Sequence, residues 1–307
     1  MRIAFIGAGA VGGYYGALLS RSGCDVSFVA RGAHLEAIRR HGLHVIGAVG
    51  DFTVTVQAES DPARIGHVDL VVFAVKTYDN AGAIPLIAPL VGPKTTVLTL
   101  QNGVDSPEEL AEIIGEPAVL GGATYIATAI ESPGLIRQTG THRRIVLGEV
   151  FQPGPAPTPR VTAIEAVLKK ADIHAEAVAD ARIALWEKFI YLAPFASFTG
   201  AARLPIGPIW ADPDGRAAFL EAVAEVEAVA RASHIPVAVD RLKQIEQYAS
   251  TIPPTTKSSL LIDLEAGKRL EVESLPGSVV RRGKAAGVPT PMMSALYAVL
   301  KMHAMGQ

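Results

Sequence analysis

Gly7, Gly9 and Gly12 stand in the spacing G-x-G-x-x-G, with Ala8, Ala10 and Val11 between them, directly after a short apolar run at 2–6 and at the start of a helix-like segment. In that context each glycine has a task. Gly7 makes the tight strand-to-helix turn, Gly9 lets a pyrophosphate approach the backbone, and Gly12 lets the helix pack close to the strand. The first N–H groups of the helix then face the phosphates, aided by the helix dipole. Residues 7–12 are therefore expected to bind a dinucleotide. The end of the second strand indicates which one, because an acid there binds a free ribose 2′-hydroxyl and an arginine binds a 2′-phosphate. Arg31 occupies that end, nineteen residues after Gly12, and its planar fork suits a phosphate. NADP(H) is the expected cofactor.

Further along, Lys76 ends the apolar run VVFAV, at the strand edge where ligands of open α/β sheets bind. Asn102 follows the next strand and so is aimed at the same crevice, although Asn102-Gly103 read alone is a plain turn. Lys188 is set in an apolar helix, with Ala184, Tyr191, Leu192 and Phe195 as its helical neighbours. A lysine on such a face needs a partner or a lowered pKa, and a lysine with a lowered pKa can act as a proton donor. Taken alone, a solvated Arg31 and a snorkelling Lys188 are the alternative readings of these two residues.

These residues require elements that hold them. The first half alternates strands (2–6, 25–30, 68–75, 95–100, 119–129, 144–147 and 173–178) with helices (11–22, 35–40, 107–114 and 160–171). Strands at 43–46 and 52–56 look like an inserted hairpin. This alternation predicts a mostly parallel sheet covered by helices, an N-terminal α/β domain of the Rossmann-type doubly wound class. Beyond residue 180 apolar residues recur at helical spacing over 182–192, 215–232, 240–249, 275–286 and 291–305. The expected domains are 1–180, binding NADP, and 181–307, a mainly α-helical domain for substrate and dimerisation, with the active site in the cleft between them.

Bulk composition narrows the class. The chain has 307 residues, 49% hydrophobic and 19% charged, with a formal net charge of −2. It can bury a sizeable core and carries no basic excess for nucleic acid. One cysteine, Cys24, leaves no internal disulfide and no cysteine metal cluster, which favours a reducing compartment. No apolar run is long enough to span a membrane. A cytoplasmic enzyme without a metal is expected.

The segments IGAGAVGGYYG (6–16), ARGAHLEAIRRHGL (30–43), VKTYD (75–79), LQNGVD (100–105), LWEKF (185–189) and KSSLLIDLEAGKRLEVE (257–273) together resemble the ketopantoate reductase (2-dehydropantoate 2-reductase) family over nearly the whole chain. The resemblance implies NADPH-dependent reduction of ketopantoate to pantoate, in pantothenate biosynthesis, by a homodimer. It implies that Lys188 is the proton donor and that Glu271 contacts both this lysine and the substrate. It further implies that Lys76 and Asn102 hold cofactor and substrate, and that Ser259, twelve residues before Glu271, contacts the substrate carboxylate.

One departure stands out. The family usually carries asparagines four and eight residues after the catalytic lysine, on roughly one helix face. Here those positions are Leu192 and Ala196. Either Ser197 or Thr199 supplies replacement donors, or the pocket is more apolar and takes a different 2-oxo acid. A non-enzymatic NADP-binding sensor is the third reading.

Overall fold

A computed structural model of the chain describes residues 1–306. The chain divides into two compact units. The first comprises 1–101 and 106–184, the second 102–105 and 185–307. The second unit thus begins four residues later than the boundary expected at 180, and it includes a short excursion, 102–105, from the N-terminal half.

The first unit contains β1 (Arg2–Ile6), α1 (Ala10–Arg21), β2 (Asp25–Val29), α2 (Gly32–His41), β3 (Leu43–Ile46), β4 (Phe52–Val54), β5 (Gln57–Glu59), β6 (Leu70–Phe73), α3 (Asn80–Ala83), β7 (Thr96–Thr99), α4 (Ser106–Ile114), β8 (Val119–Ser132), β9 (Leu135–Glu149), α5 (Pro159–Lys170) and β10 (His174–Asp180). Its sheet runs β4-β3-β9-β8-β7-β6-β1-β2-β5, with β10 on β9. The central strands β7, β6, β1, β2 and β5 are parallel. The buried faces of β1, β6 and β7 explain their continuous apolar runs. β3 and β4 form the expected antiparallel hairpin. The largest departure from expectation is β9. The sequence reading places a strand only at 144–147, whereas the strand begins at Leu135 and pairs along its length with β8. After Leu135 and Ile136 its first half turns to a polar, mostly exposed stretch, so no run of apolar residues marks it.

Helix α1 explains the glycine run that follows residue 12. Its residues from Gly12 to Leu19 are all buried, so the helix is enclosed rather than amphipathic. A Cβ at Gly13 would lie 2.2 Å from Ile136 of β9, and one at Gly16 would lie 2.4 Å from Phe28 of β2. Tyr14 donates to Gln138 Oε1 at 2.8 Å, and Tyr15 shares a 2.7 Å bond with Thr124. The helix is held between the β1-β2 side of the sheet and the long β8-β9 ribbon, and only glycine admits so close an approach.

The second unit is built on α6 (Ala181–Ala202), whose first turn belongs to the first unit, followed by α7 (Ile206–Ala211), α8 (Pro213–Ala232), α9 (Arg241–Thr251), α10 (Ser259–Glu265), α11 (Pro276–Ala286) and α12 (Pro291–Lys301). Helix α6 continues through Pro194 well past residue 192, where the sequence reading ends it. Phe219, Val223 and Val226 of α8 are fully buried and anchor the unit's core.

Candidate active site

In the first unit, the loop from β1 to α1 has the backbone its glycines permit. Gly7 has φ +99°, and a Cβ there would meet Val75 at 2.9 Å. A Cβ on Gly12 would lie 2.2 Å from the Gly7 carbonyl oxygen. Gly9 behaves differently. It precedes α1 with ordinary φ −65°, and a Cβ there would meet no protein atom within 4 Å. Packing does not require glycine at 9, but a group approaching the helix N-terminus from outside does. The first N–H groups of α1 have no intrahelical acceptors and point to that space. Residues 7–12 therefore fit a dinucleotide pyrophosphate. His34 braces the loop, its Nε2 donating to Ala8 O at 2.8 Å while its Nδ1 accepts from the Gly134 N–H at 3.0 Å. Acceptance at Nδ1 needs the neutral ring, and burial holds its pKa below the ordinary value.

Arg31 follows β2 at the same sheet edge, with its side chain 83% exposed and an ion pair to Asp79 at 2.6 Å. Lys76 lies three residues beyond β6 and opens a short turn, Thr77–Asp79. Gln101 holds that segment in place by donating to Val75 O at 2.9 Å and to Asn80 Oδ1 at 2.6 Å. Gln101 and Asn80 escaped the sequence reading because two amides far apart in the chain carry no spacing signal.

In the second unit, Lys188 Nζ donates to Asn102 Oδ1 at 2.7 Å. Burial pushes the Lys188 ammonium down to about 8, and the carboxylate of Glu271 opposes that drop. Glu271 is itself buried, in the irregular stretch between α10 and α11. Lys188 and Glu271, expected to be catalytic, and Asn102, expected to position cofactor and substrate, are thus near one another. Two features bring Asn102 there. Gly103 has φ +97°, and a Cβ on it would lie 2.9 Å from Ser274 O, so only glycine lets this turn lie against the Glu271 segment. Asp105 then anchors the excursion, accepting from Ser278 Oγ at 2.9 Å, Arg282 Nε at 2.7 Å and Arg281 at 3.2 Å. The sequence reading missed this anchor, although the adjacent arginines of α11 signal an acidic partner.

Ser259 is the first residue of α10 and is exposed. Its neighbour Ser258 is buried and caps the helix, accepting from the Leu261 N–H at 3.0 Å and bonding Thr199 at 2.6 Å. Leu192 is half-buried and Ala196 fully buried. The expectation that Ser197 or Thr199 replaces the missing amides is corrected here. Ser197 Oγ donates to Ala193 O and Thr199 Oγ1 to Phe195 O, both at 2.7 Å, so each hydroxyl proton is already engaged by the preceding helical turn. Next to them Tyr191 stacks on Phe195 with ring centres 5.2 Å apart, and its buried hydroxyl has no hydrogen-bond partner among the described residues.

A parallel-sheet unit with a dinucleotide loop, together with a helical unit that holds a lysine of lowered pKa against a carboxylate and an amide, defines a pyridine-nucleotide oxidoreductase. The comparisons make this specific. Residues 3–152 match the family model described as ketopantoate reductase PanE/ApbA, and residues 180–304 match its C-terminal counterpart. The 2-dehydropantoate 2-reductase of Mesorhizobium japonicum is 32% identical over 98% of this chain and 97% of its own. The structure of 2-dehydropantoate 2-reductase from Geobacter metallireducens superposes with a TM-score of 0.91 at 34% identity, covering 98% of this chain and 99% of that one. A PanE/ApbA family ketopantoate reductase from Ralstonia eutropha gives 0.90 at 33%, covering 99% and 98%. The chain belongs to the ketopantoate reductase family.

Proposed function

We propose that this chain reduces a 2-oxo acid to the 2-hydroxy acid with NADPH, and that 2-dehydropantoate is its first substrate and pantoate the product. The observation that carries the reading is Lys188, bonded to Asn102, lowered to about 8 and facing Glu271. The bound dinucleotide supplies a hydride to the carbonyl carbon. The oxygen then needs a proton, and Lys188 holds one at Nζ. With a pKa near 8 the ammonium is about 90% protonated at pH 7 and far more acidic than an ordinary lysine. Asn102 directs Nζ through its side-chain oxygen, and Glu271 keeps the ammonium charged. Gly7, Ala8, Gly9, Ala10, Val11, Gly12 and Arg31 hold the dinucleotide. Lys76 helps hold cofactor and substrate, and Ser259 offers a hydroxyl to the substrate carboxylate. We read the protein as a cytoplasmic homodimer; Val299, Met302 and Met305, exposed apolar residues near the C-terminus, support self-association.

Loss of NADPH absorbance on adding 2-dehydropantoate tests the reading. No turnover with it or with any of a panel of branched and aromatic 2-oxo acids would overturn it. A second reading, in which a more apolar 2-oxo acid is preferred, is favoured by Leu192 and Ala196 with Ser197 and Thr199 both engaged. It is distinguished by a higher kcat/KM for a bulkier member of that panel. A non-enzymatic NADP sensor is disfavoured by the joint presence of Lys188, Asn102 and Glu271.

A further inference from the structure

Strands β6 and β2 flank β1, and Phe73 and Val29 are both level with Ile6 in register. The glycine loop leaves from Ile6. Arg31 lies two residues beyond Val29, and Asp79 six residues beyond Phe73. The ion pair between them, 2.6 Å long, therefore links the two strands on either side of the glycine loop, a span of about 10 Å at ordinary strand spacing. Glu59, a nearby acid on β5, is engaged by Arg39 at 2.8 Å and lies 3.9 Å from Arg64. Asp79 is the carboxylate paired with Arg31.

This arrangement bears on how the nucleotide is selected. A 2′-phosphate needs the Arg31 guanidinium, whose Nη2 already donates to Asp79 Oδ2, and once bound it lies beside a like charge. A ribose 2′-hydroxyl has neither difficulty, because it leaves the ion pair intact and can donate to a carboxylate. We propose that Asp79 competes with the 2′-phosphate for Arg31, so that Asp79 limits the preference for NADPH over NADH that Arg31 alone would give. The inference rests on residues 7–12 and Arg31 holding the dinucleotide.

The test is direct binding to the full chain, titrating NADPH and NADH and following nicotinamide fluorescence, for the wild type, Asp79→Asn, Arg31→Ala and the double variant. Asp79→Asn is expected to tighten NADPH about three- to tenfold and to leave NADH unchanged or weaker. With Arg31 replaced by alanine, that gain is expected to shrink, because the competitor has lost the group it competes for. Weaker NADPH binding in Asp79→Asn would make Asp79 a support for Arg31 and overturn the proposal. Equal shifts for both nucleotides, no shift in either, or a gain of the same size without Arg31 would also overturn it. Failure of the wild type to bind either nucleotide would instead remove the cofactor reading, and this inference with it.

Discussion

The alkaline limb of the pH–rate profile belongs to Lys188, and Glu271→Gln should move it. Burial lowers the Lys188 ammonium from 10.5 to about 8, which at about 1.4 kcal/mol per pH unit is about 3 kcal/mol in favour of the neutral amine. As an acid, Lys188 works only while protonated. Reductive kcat/KM should therefore be flat below pH 8 and fall about tenfold per unit above it, with about 10% of the enzyme competent at pH 9. The 2-oxo acid is ionised throughout this range, so it contributes no limb of its own. The Glu271 carboxylate raises the lysine against burial. Replacing it with neutral, similarly sized glutamine removes that support, so the limb must shift to lower pH and the pH 7 rate must fall. The measurement is kcat/KM from NADPH absorbance across pH 6–10 for both proteins. A limb near 10.5 in the wild type, or one that stays in place or moves upward in Glu271→Gln, would refute the assignment of Lys188 as a buried acid.

Other expectations follow from single contacts. Gly9→Ala should leave the melting temperature within about 2 °C, because its Cβ meets no protein atom, yet weaken NADPH binding at least tenfold by fluorescence titration. Gly12→Ala should instead destabilise the fold by about 2 kcal/mol or more in urea, since its Cβ would press on the Gly7 carbonyl. Asp105→Ala should lose about 2 kcal/mol, much of it from Arg282 because Arg281 is half exposed, and should lower kcat by loosening Asn102. His34 titrates below its ordinary value in the fold, so the unfolded chain takes up its proton first as pH falls. Stability should therefore decline from about pH 6.5 downward, and the decline should be shallower in His34→Gln, which keeps a donor for Ala8 and an acceptor for Gly134.

Much of this was legible in the chain itself. The glycine loop, Arg31 and the apolar strands β1, β6 and β7 could be read because local backbone demands and burial on both faces leave marks on consecutive residues. Lys188 could be read because a lysine with apolar helical neighbours is conspicuous. The polar half of β9 and the continuation of α6 past Pro194 could not, because partners distant in sequence stabilise them.

Sequence alone determined which groups were available for the chemistry: the loop of residues 7–12, an arginine at the end of β2, a lysine in an apolar helix, and two amide positions changed to Leu192 and Ala196. Only the tertiary structure decided their state. It lowered Lys188 to about 8, because burial penalises a charge by an amount no spacing reveals. It moved Asn102 into the second unit, because Gly103 and Asp105 bind it there. It ruled out Ser197 and Thr199 as substitute donors, because a hydroxyl inside a helix gives its proton to the preceding turn.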